Sequence, residues 1–306
     1  MSSKSVSTPI PKVSKPAKVS LPATDVQQFR RLLKQFLAEK DELGRKWSDA
    51  KWGVYAFYDY DGEPIYVGQT NEQLRVRLGR HLTNQRTDAV AMRILDLFEV
   101  AEVEIWPAWE HEYVDQKNKK ADPFVEAKKH LDALEYTAYL DAIANSRFKA
   151  ILNEKIPPVS PRVEMPASLR RSLVTPEIRA DRSHPDIRIA RRAETISRLA
   201  AVARERGEVS DGLRRVLVVQ AVRLAFISAV RLSHVEGRAE PDPTAIEIQK
   251  LVGSVLSEHE DPHGLIADVN SSELEVEYSD DYTDLARTLE PRDAKKPAED
   301  PSQVHL

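Results

Sequence analysis

Hydrophobic residues in the first part of the chain follow two different periods. Between residues 25 and 37 they recur every three or four positions, which predicts an amphipathic helix with one apolar face. Two apolar runs then flank the pair Asp61-Gly62, a pattern that is typical of a β-hairpin. The predicted strands of this hairpin span residues 53–58 and 64–68.

The following segments alternate between helical and extended patterns. Apolar stripes predict helices over residues 71–82 and 88–98, and strict alternation predicts a strand over residues 100–106. A further helix is expected over residues 123–144, because a proline stands at its first position. We therefore expect residues 25–158 to form an α/β (α+β) domain, with a small three-stranded, mainly antiparallel sheet flanked by helices.

Residues 188–257 carry three further stretches with helical periodicity, which predicts an all-helical C-terminal domain. Gly207 would end the first helix, and Ser210 would begin the long apolar second helix. The third helix would begin near Thr244 and continue to about Leu256.

The remaining segments have compositions that are typical of linkers and tails. Residues 1–24 are rich in Ser, Pro, Val and Lys, which predicts a disordered basic arm. Residues 159–187 are rich in proline and turn-forming residues, and we interpret them as a linker. Residues 258–306 are acidic and are expected to be mostly disordered.

Composition excludes several classes of site. The 306-residue chain has no cysteine, so it has no disulfide, no Cys-based zinc site and no thiol nucleophile. This composition fits a reducing compartment, and we expect a cytoplasmic location. We expect no membrane partner, because neither a signal-peptide core nor a run of about 18 apolar residues is seen.

Tyrosine and glycine occupy both strands of the predicted hairpin. The first strand begins with Gly53-Val54-Tyr55, and the second ends with Tyr66-Val67-Gly68. Arg77 and His81 follow at a spacing of four residues, so they share one face of the predicted helix. Glu135 lies in the helix after the third strand, and Asn153 lies just beyond the end of that helix.

This order of residues resembles the GIY-YIG endonuclease family, with GVY and YVG as its two motifs, over about residues 50–158. The resemblance implies an endonuclease that hydrolyses phosphodiester bonds in DNA with Mg²⁺ (or Mn²⁺) and without a small-molecule cofactor. The catalytic residues that it implies are Tyr55, Tyr66, Arg77, His81, Glu135 and Asn153. We further expect substrate binding by Gly68, Thr70, Arg75 and Arg80.

The chemistry of these side chains fits such a reaction. A guanidinium matches phosphate in a bidentate way, so Arg77 would bind the phosphate. Mg²⁺ keeps much of its hydration, so Glu135 would suffice as its protein ligand. The resemblance implies that Tyr55 is the base and that Tyr66 positions phosphate or water. Nearby positive charge must lower the tyrosine pKa from about 10, and His81 would accept the proton or orient Tyr55.

Two of these assignments depend on the resemblance and not on spacing, because the loop before them has no fixed length. Glu110, Glu112 and Glu126 compete with Glu135 for the role of metal ligand. Asn153 is expected to be a structural hydrogen-bonding residue close to the site.

All cationic residues between Ser168 and Arg231 are arginines, and they outnumber the acidic residues there. One interpretation is a DNA-binding module, and the other is a helical bundle with a solvated basic surface. The long apolar helix would serve equally as the interface of a homodimer. The arginines that would contact phosphates are Arg179, Arg182, Arg188, Arg191, Arg192, Arg214 and Arg215.

An alternative function is that the chain has the GIY-YIG fold without catalytic activity. The chain would then be a catalytically inactive protein that binds nucleic acid or recruits partners on a GIY-YIG scaffold. Restriction, phage defence and repair are all consistent with an active nuclease.

Overall fold

The chain is built around one antiparallel sheet. The computed structural model describes residues 23–84, 94–207 and 209–256. The strands are β1 (Gly53–Tyr58), β2 (Pro64–Thr70), β3 (Glu102–Pro107) and β4 (Leu169–Ser172). The helices are α1 (Thr24–Ala38), α2 (Leu74–Gly79), α3 (Asp122–Asn145), α4 (Pro176–Arg182), α5 (Pro185–Arg206), α6 (Asp211–Glu236) and α7 (Ile248–Val252).

The sheet has the strand order β2-β1-β3-β4, and every neighbouring pair is antiparallel. Strand β1 is central, and its residues from Gly53 to Phe57 are all buried. Helix α3 packs against β1 and β2. The α/β architecture expected from the sequence is confirmed, with one strand more than predicted.

The β1–β2 hairpin closes as the Asp-Gly pair predicts. Gly62 has φ of 74°, a left-handed conformation that favours glycine. The Asp59 carboxylate accepts hydrogen bonds from the backbone N–H groups of Asp61 and Glu63, which holds the turn together. The pairing places Tyr55 opposite Gly68, so the two glycine-tyrosine motifs lie side by side.

The fourth strand lies inside the segment that we predicted to be a linker. Leu169 pairs with Ile105 of β3, and Ser172 pairs with Glu102. Three of the four β4 residues are polar, and only Leu169 is buried. Such a short edge strand is held by backbone pairing to β3, so it carries no hydrophobic pattern that the sequence could show.

Two predicted helices differ from the structure. The first is the helix predicted over residues 88–98. Residues 94–96 are not helical, and a single 3₁₀ turn over Leu97–Glu99 replaces the end of this predicted helix. Residues 85–93 lie outside the described residues. The third C-terminal helix is only α7, which Gly253 ends with φ of 75°. Its apolar stripe is not continuously buried, since Ile248 is covered but Leu251 is exposed.

The C-terminal helices α5 and α6 pack along one another. Ser210 caps α6 by accepting a hydrogen bond from the Leu213 N–H, as the sequence predicts. Among the described helices, α6 is long and apolar enough to cross a membrane by length and composition. This helix also carries Arg223, which is buried. The expected absence of a membrane partner remains a prediction.

The described residues lie in one unit that ends at Glu258. The proposed boundaries at residues 158 and 188 therefore remain a prediction about domain organisation. The basic arm, except for its last two residues, and the acidic tail lie outside the described residues.

Candidate active site

The hydroxyl group of Tyr55 lies at the centre of the candidate site. It is 2.8 Å from Nε2 of His81, and Nε of Arg77 donates to it at 3.2 Å. Tyr55 projects from the central strand and is fully buried. Arg77 lies on α2, and His81 lies on the π-helical turn Arg80–Asn84 that continues this helix. Such turns are frequent at functional sites.

The pKa values of Tyr55 and His81 indicate which of these groups carry a proton, and therefore which of them can donate a hydrogen bond. We expected nearby positive charge to lower the pKa of Tyr55, but burial raises this pKa, and the charge of Arg77 only partly opposes the effect. Burial, together with the charges of Arg77 and Arg80, lowers the pKa of His81 to about 3. His81 is therefore neutral at neutral pH. Because Arg77 only donates, the Tyr55 oxygen accepts from Arg77, and Tyr55 can donate its proton to Nε2 of His81 in the tautomer that carries hydrogen on Nδ1.

Tyr66 lies beside this group on the neighbouring strand. Its ring stacks with that of Tyr55 at a centroid distance of 6.3 Å, and it lies 5.9 Å from the ring of His81. Burial raises its pKa well above the ordinary value, with a further contribution from Tyr55. Tyr66 is therefore protonated, and its side chain remains partly exposed.

Both motif glycines are required by close packing. A Cβ atom on Gly68 would lie 2.5 Å from the Tyr55 hydroxyl oxygen and 2.6 Å from Cζ of the same ring. A Cβ atom on Gly53 would lie 2.8 Å from the carbonyl oxygen of Trp106 and 3.0 Å from Leu74. Gly68 thus makes room for the ring of Tyr55, and Gly53 allows β3 and α2 to approach β1.

Glu135 approaches the tyrosines from helix α3. Its negative charge contributes to the raised pKa of both Tyr55 and Tyr66. Burial raises the pKa of Glu135 itself to about 7, and Lys128, Gln69 and Arg77 only partly oppose this. The structure therefore brings Tyr55, Tyr66, Arg77, His81 and Glu135 into one electrostatically coupled site.

Three side chains that we did not predict lie beside Glu135. The Gln69 amide nitrogen donates to the Asp132 carboxylate at 2.7 Å, and Lys128 Nζ donates both to Gln69 at 3.4 Å and to Asp132. Lys128, Asp132 and Glu135 share one face of α3, since they are spaced by four and three residues. Helical spacing around Glu135 was the signal that could have found Lys128 and Asp132, whereas Gln69 directly follows the second motif on β2.

Asn153 is hydrogen-bonded to β2, the strand that carries the second motif. Its Oδ1 accepts from the Val67 N–H at 3.0 Å, and its Nδ2 donates to the Val67 carbonyl at 2.8 Å. The neighbouring Leu152 N–H donates to the Ile65 carbonyl. The amide group of Asn153 thus pairs with the backbone between Tyr66 and Gly68, and it holds this strand edge in place.

The expected substrate-binding residues are distributed differently. Thr70 is buried, and its hydroxyl group exchanges hydrogen bonds with the backbone of Glu72. Arg80 pairs with the Glu72 carboxylate, whereas Arg75 is exposed and lies 3.4 Å from Asp49. Gly68 lies beneath the ring of Tyr55. Of the four residues that we expected to bind substrate, Arg75 is therefore the most accessible. Substrate contacts by these residues remain a prediction.

The competing carboxylates have other surroundings. Glu112 accepts from the backbone N–H of Lys51 at 3.1 Å and lies 3.4 Å from Lys51 Nζ. Glu110 lies 3.4 Å from His130, and Glu126 is exposed. Glu135 is thus the carboxylate of this group whose charge acts on both motif tyrosines.

The structure corrects the assignment of Arg188 and Arg192 to phosphate contacts. Arg188 and Arg192 are buried and pair with Asp59 and Glu99. These guanidinium groups cannot follow a phosphate backbone, because they are enclosed and already paired. The sequence did not reveal the pairing, since Asp59 and Arg188 are far apart along the chain.

The other named arginines also have partners. Arg179 pairs with the carboxylate of Glu102, Arg182 with that of Asp25, and Arg191 with that of Asp96. Arg214 and Arg215 donate to the backbone carbonyls of Gly207 and Glu154. Much of the arginine-rich region therefore binds to the sheet domain rather than presenting a free basic face.

A comparison with known protein families indicates that this domain is of the nuclease superfamily. Residues 51–121 match the family model of the GIY-YIG catalytic domain, which confirms the resemblance seen in the sequence. The matched segment includes both motifs, Arg77 and His81, and it ends before Glu135 and Asn153. No curated protein and no solved structure matches the chain.

Proposed function

We propose that this protein is an endonuclease that hydrolyses phosphodiester bonds in DNA with Mg²⁺ or Mn²⁺. The observation that carries the proposal is the Tyr55 hydroxyl group, which lies between the cationic Arg77 and the neutral His81. A buried tyrosine with a donor on one side and an acceptor on the other can exchange its proton without rearrangement.

In this mechanism Tyr55 is the general base. As water attacks the phosphorus atom, Tyr55 passes its proton to Nε2 of His81 and takes a proton from the water. Arg77 stabilises the negative charge that develops on the Tyr55 oxygen, and its other guanidinium nitrogens bind the phosphate. The negative charge of a bound phosphate favours protonated His81, which opposes the effect of burial on its pKa.

The donor set at Glu135 fits a hard divalent cation. Its carboxylate is partly buried with a pKa of about 7, and the amide of Gln69 lies beside it. Mg²⁺ binds through one or two carboxylates, substrate phosphates and retained waters, so further acidic ligands are not needed. When bound, the ion supplies positive charge to the phosphate and to the leaving oxygen.

The cellular setting is part of the proposal. We propose DNA as the partner, a cytoplasmic location, and a role in restriction, phage defence or repair. The support for the location is the absence of cysteine, and the support for DNA is the GIY-YIG match.

Cleavage of supercoiled plasmid with Mg²⁺ tests this function. The wild type should nick the plasmid, Glu135→Gln should not, and Glu126→Gln should behave like the wild type because Glu126 is exposed on the same helix. Sequencing the ends would identify the cleavage site, and RNA of the same sequence tests the choice of DNA. A protein that binds DNA but cleaves nothing with Mg²⁺ or Mn²⁺ would instead support the inactive scaffold.

A further inference from the structure

A second cluster of chemically active side chains lies outside the Tyr55 site. Glu110 and His111 belong to the 3₁₀ turn Trp109–His111, which directly follows β3. His130 lies on α3. Nε2 of His111 is 2.8 Å from Nδ1 of His130, and Oε1 of Glu110 is 3.4 Å from the same Nδ1. The three potential ligand atoms all lie within 4.8 Å of one another.

The two separations that involve His130 are close to those of a tetrahedral metal centre. Zn²⁺ binds imidazole nitrogen and carboxylate oxygen at about 2.0–2.2 Å, which places neighbouring ligand atoms roughly 3.3–3.6 Å apart. The carboxylate already has this separation from His130. The two imidazole nitrogens need to separate by only about half an ångström from their 2.8 Å contact to reach it.

We propose that Glu110, His111 and His130 bind a borderline transition-metal ion of the Zn²⁺ class. Imidazole nitrogens select such ions over Mg²⁺, which prefers oxygen ligands. Three protein ligands leave one coordination position open, and a cleft of about 390 Å³ that borders Glu110 can supply a water to it.

This site is separate from the proposed nuclease metal. His130 and Glu135 are five residues apart on α3, so their side chains point about 140° away from each other around the helix. The two residues therefore cannot form one two-metal centre. Each would bind its own ion, with nitrogen-rich ligands at one site and a carboxylate at the other.

The surroundings of His111 support a preformed site. Its ring packs edge-on against the fully buried Trp52 at a centroid distance of 6.0 Å. This contact holds the ring in a position from which Nε2 faces His130. Glu110 is exposed and His130 is partly exposed, which leaves an entry path for an ion.

A bound ion would connect the two ends of residues 112–121, the segment between β3 and α3. Both flanking elements contribute ligands, so the ion would bind the folded chain more tightly than the unfolded chain and raise its melting temperature. The ion would thereby stabilise the segment that leads into the helix of Glu135.

The test uses the untagged full chain, stripped of metal with a chelator. Zn²⁺ is titrated by calorimetry in excess Mg²⁺, and the melting temperature is recorded with and without Zn²⁺. The wild type should bind one Zn²⁺ per chain and melt at a higher temperature. His130→Ala and Glu110→Gln should weaken binding by at least tenfold and reduce the shift.

Two control variants separate this site from other ligands. His234→Ala removes an exposed histidine of α6 and should leave Zn²⁺ binding unchanged, as should Glu135→Gln. Circular dichroism confirms that each variant is folded, and Glu110→Gln, on an exposed residue, keeps the test valid if His130→Ala does not fold. A wild type that binds no Zn²⁺, or folded Glu110→Gln and His130→Ala proteins that bind it as tightly as the wild type, would overturn the proposal.

Discussion

The hydroxyl oxygen of Tyr55 lies 2.8 Å from Nε2 of His81, and this contact joins the first motif strand to the helix behind the hairpin. Both residues are buried, so the proton between them is shielded from bulk water. The geometry gives Tyr55 an acceptor for its own proton before any substrate is present.

Replacing Tyr55 with phenylalanine should abolish cleavage while preserving the fold. The change removes the oxygen that Arg77 and His81 contact, and loss of a general base typically costs 10²- to 10⁴-fold in rate. Plasmid nicking and DNA binding are measured together, and binding should be retained. The control is Tyr58→Phe, because its hydroxyl group donates to Glu104 instead. Equal activity of Tyr55→Phe and wild type would assign the base to another residue.

Gly68→Ala should disturb the active site through packing alone. The new Cβ atom would meet the Tyr55 ring at 2.5–2.6 Å, so the ring must move away from His81. We expect cleavage to fall at least tenfold and stability to fall by about 1–3 kcal/mol, as overpacking does. Gly79→Ala is the matched control, because a Cβ atom there meets nothing within 4 Å. Similar losses in both variants would exclude the steric explanation.

Binding of Mg²⁺ should weaken as the pH falls through 7. The pKa of Glu135 is about 7, and only the ionised carboxylate binds the ion. Each pH unit below 7 should therefore weaken the affinity about tenfold, with a plateau above pH 8. Calorimetric titrations at pH 6, 7 and 8 check this. Gln69→Ala removes a hydrogen bond that lowers this pKa, so its curve should shift to higher pH. Equal affinities at pH 6 and 8 would contradict the prediction.

The same carboxylate should destabilise the metal-free protein at high pH. Its folded-state pKa of about 7 exceeds the ordinary value of 4.5, so the folded chain binds more protons than the unfolded chain between these values. Its contribution to stability is therefore present below pH 4.5 and is lost as the pH rises through 7.

Glu135→Gln should accordingly raise the metal-free melting temperature by a few degrees at pH 8, which corresponds to about 1–2 kcal/mol. The difference should nearly vanish at pH 5, where the wild-type carboxyl group is also neutral. Thermal melts with a chelator at both pH values measure it. A lower melting temperature for Glu135→Gln at pH 8 would show that the carboxylate is stabilised by its neighbours.

Removing the Asp59 charge should strongly destabilise the fold. Burial would raise the pKa of Asp59, but the charges of Arg188, Arg223 and Arg192 lower it, so the carboxylate is ionised. Oδ2 of Asp59 lies 2.7 Å from Arg188, 3.1 Å from Arg192 and 3.3 Å from Arg223. Without this partner, buried guanidinium charges remain uncompensated, which costs about 3–5 kcal/mol.

Urea unfolding of Asp59→Asn and Asp61→Asn measures this effect. Asp61 is exposed and contacts only Arg188 in the group of three arginines, so its loss should cost much less. DNA affinity of the folded Asp59→Asn protein should remain near that of the wild type, because these arginines are enclosed. Comparable stability of the two variants would mean that the buried network contributes little.

Several features of this protein follow from local sequence. The hairpin depends on alternating apolar residues and on the turn conformation of Gly62, and both act over a few residues. Ser210 caps its helix through a bond to the next turn. The spacing of Arg77 and His81 places both on one helix face, as helical geometry requires. These properties were predictable because the interactions that determine them are short in sequence.

Other features depend on contacts between distant segments. Strand β4 pairs through its backbone and shows no hydrophobic alternation, so only β3 defines it. The partners of Asp59, the bonds of Asn153 to Val67 and the approach of His130 to His111 all join residues far apart in the chain. Side-chain type limits which of these pairs can form. Packing of the helices on the sheet decides which of them meet, since the free energy of each pairing depends on burial that only the folded chain provides.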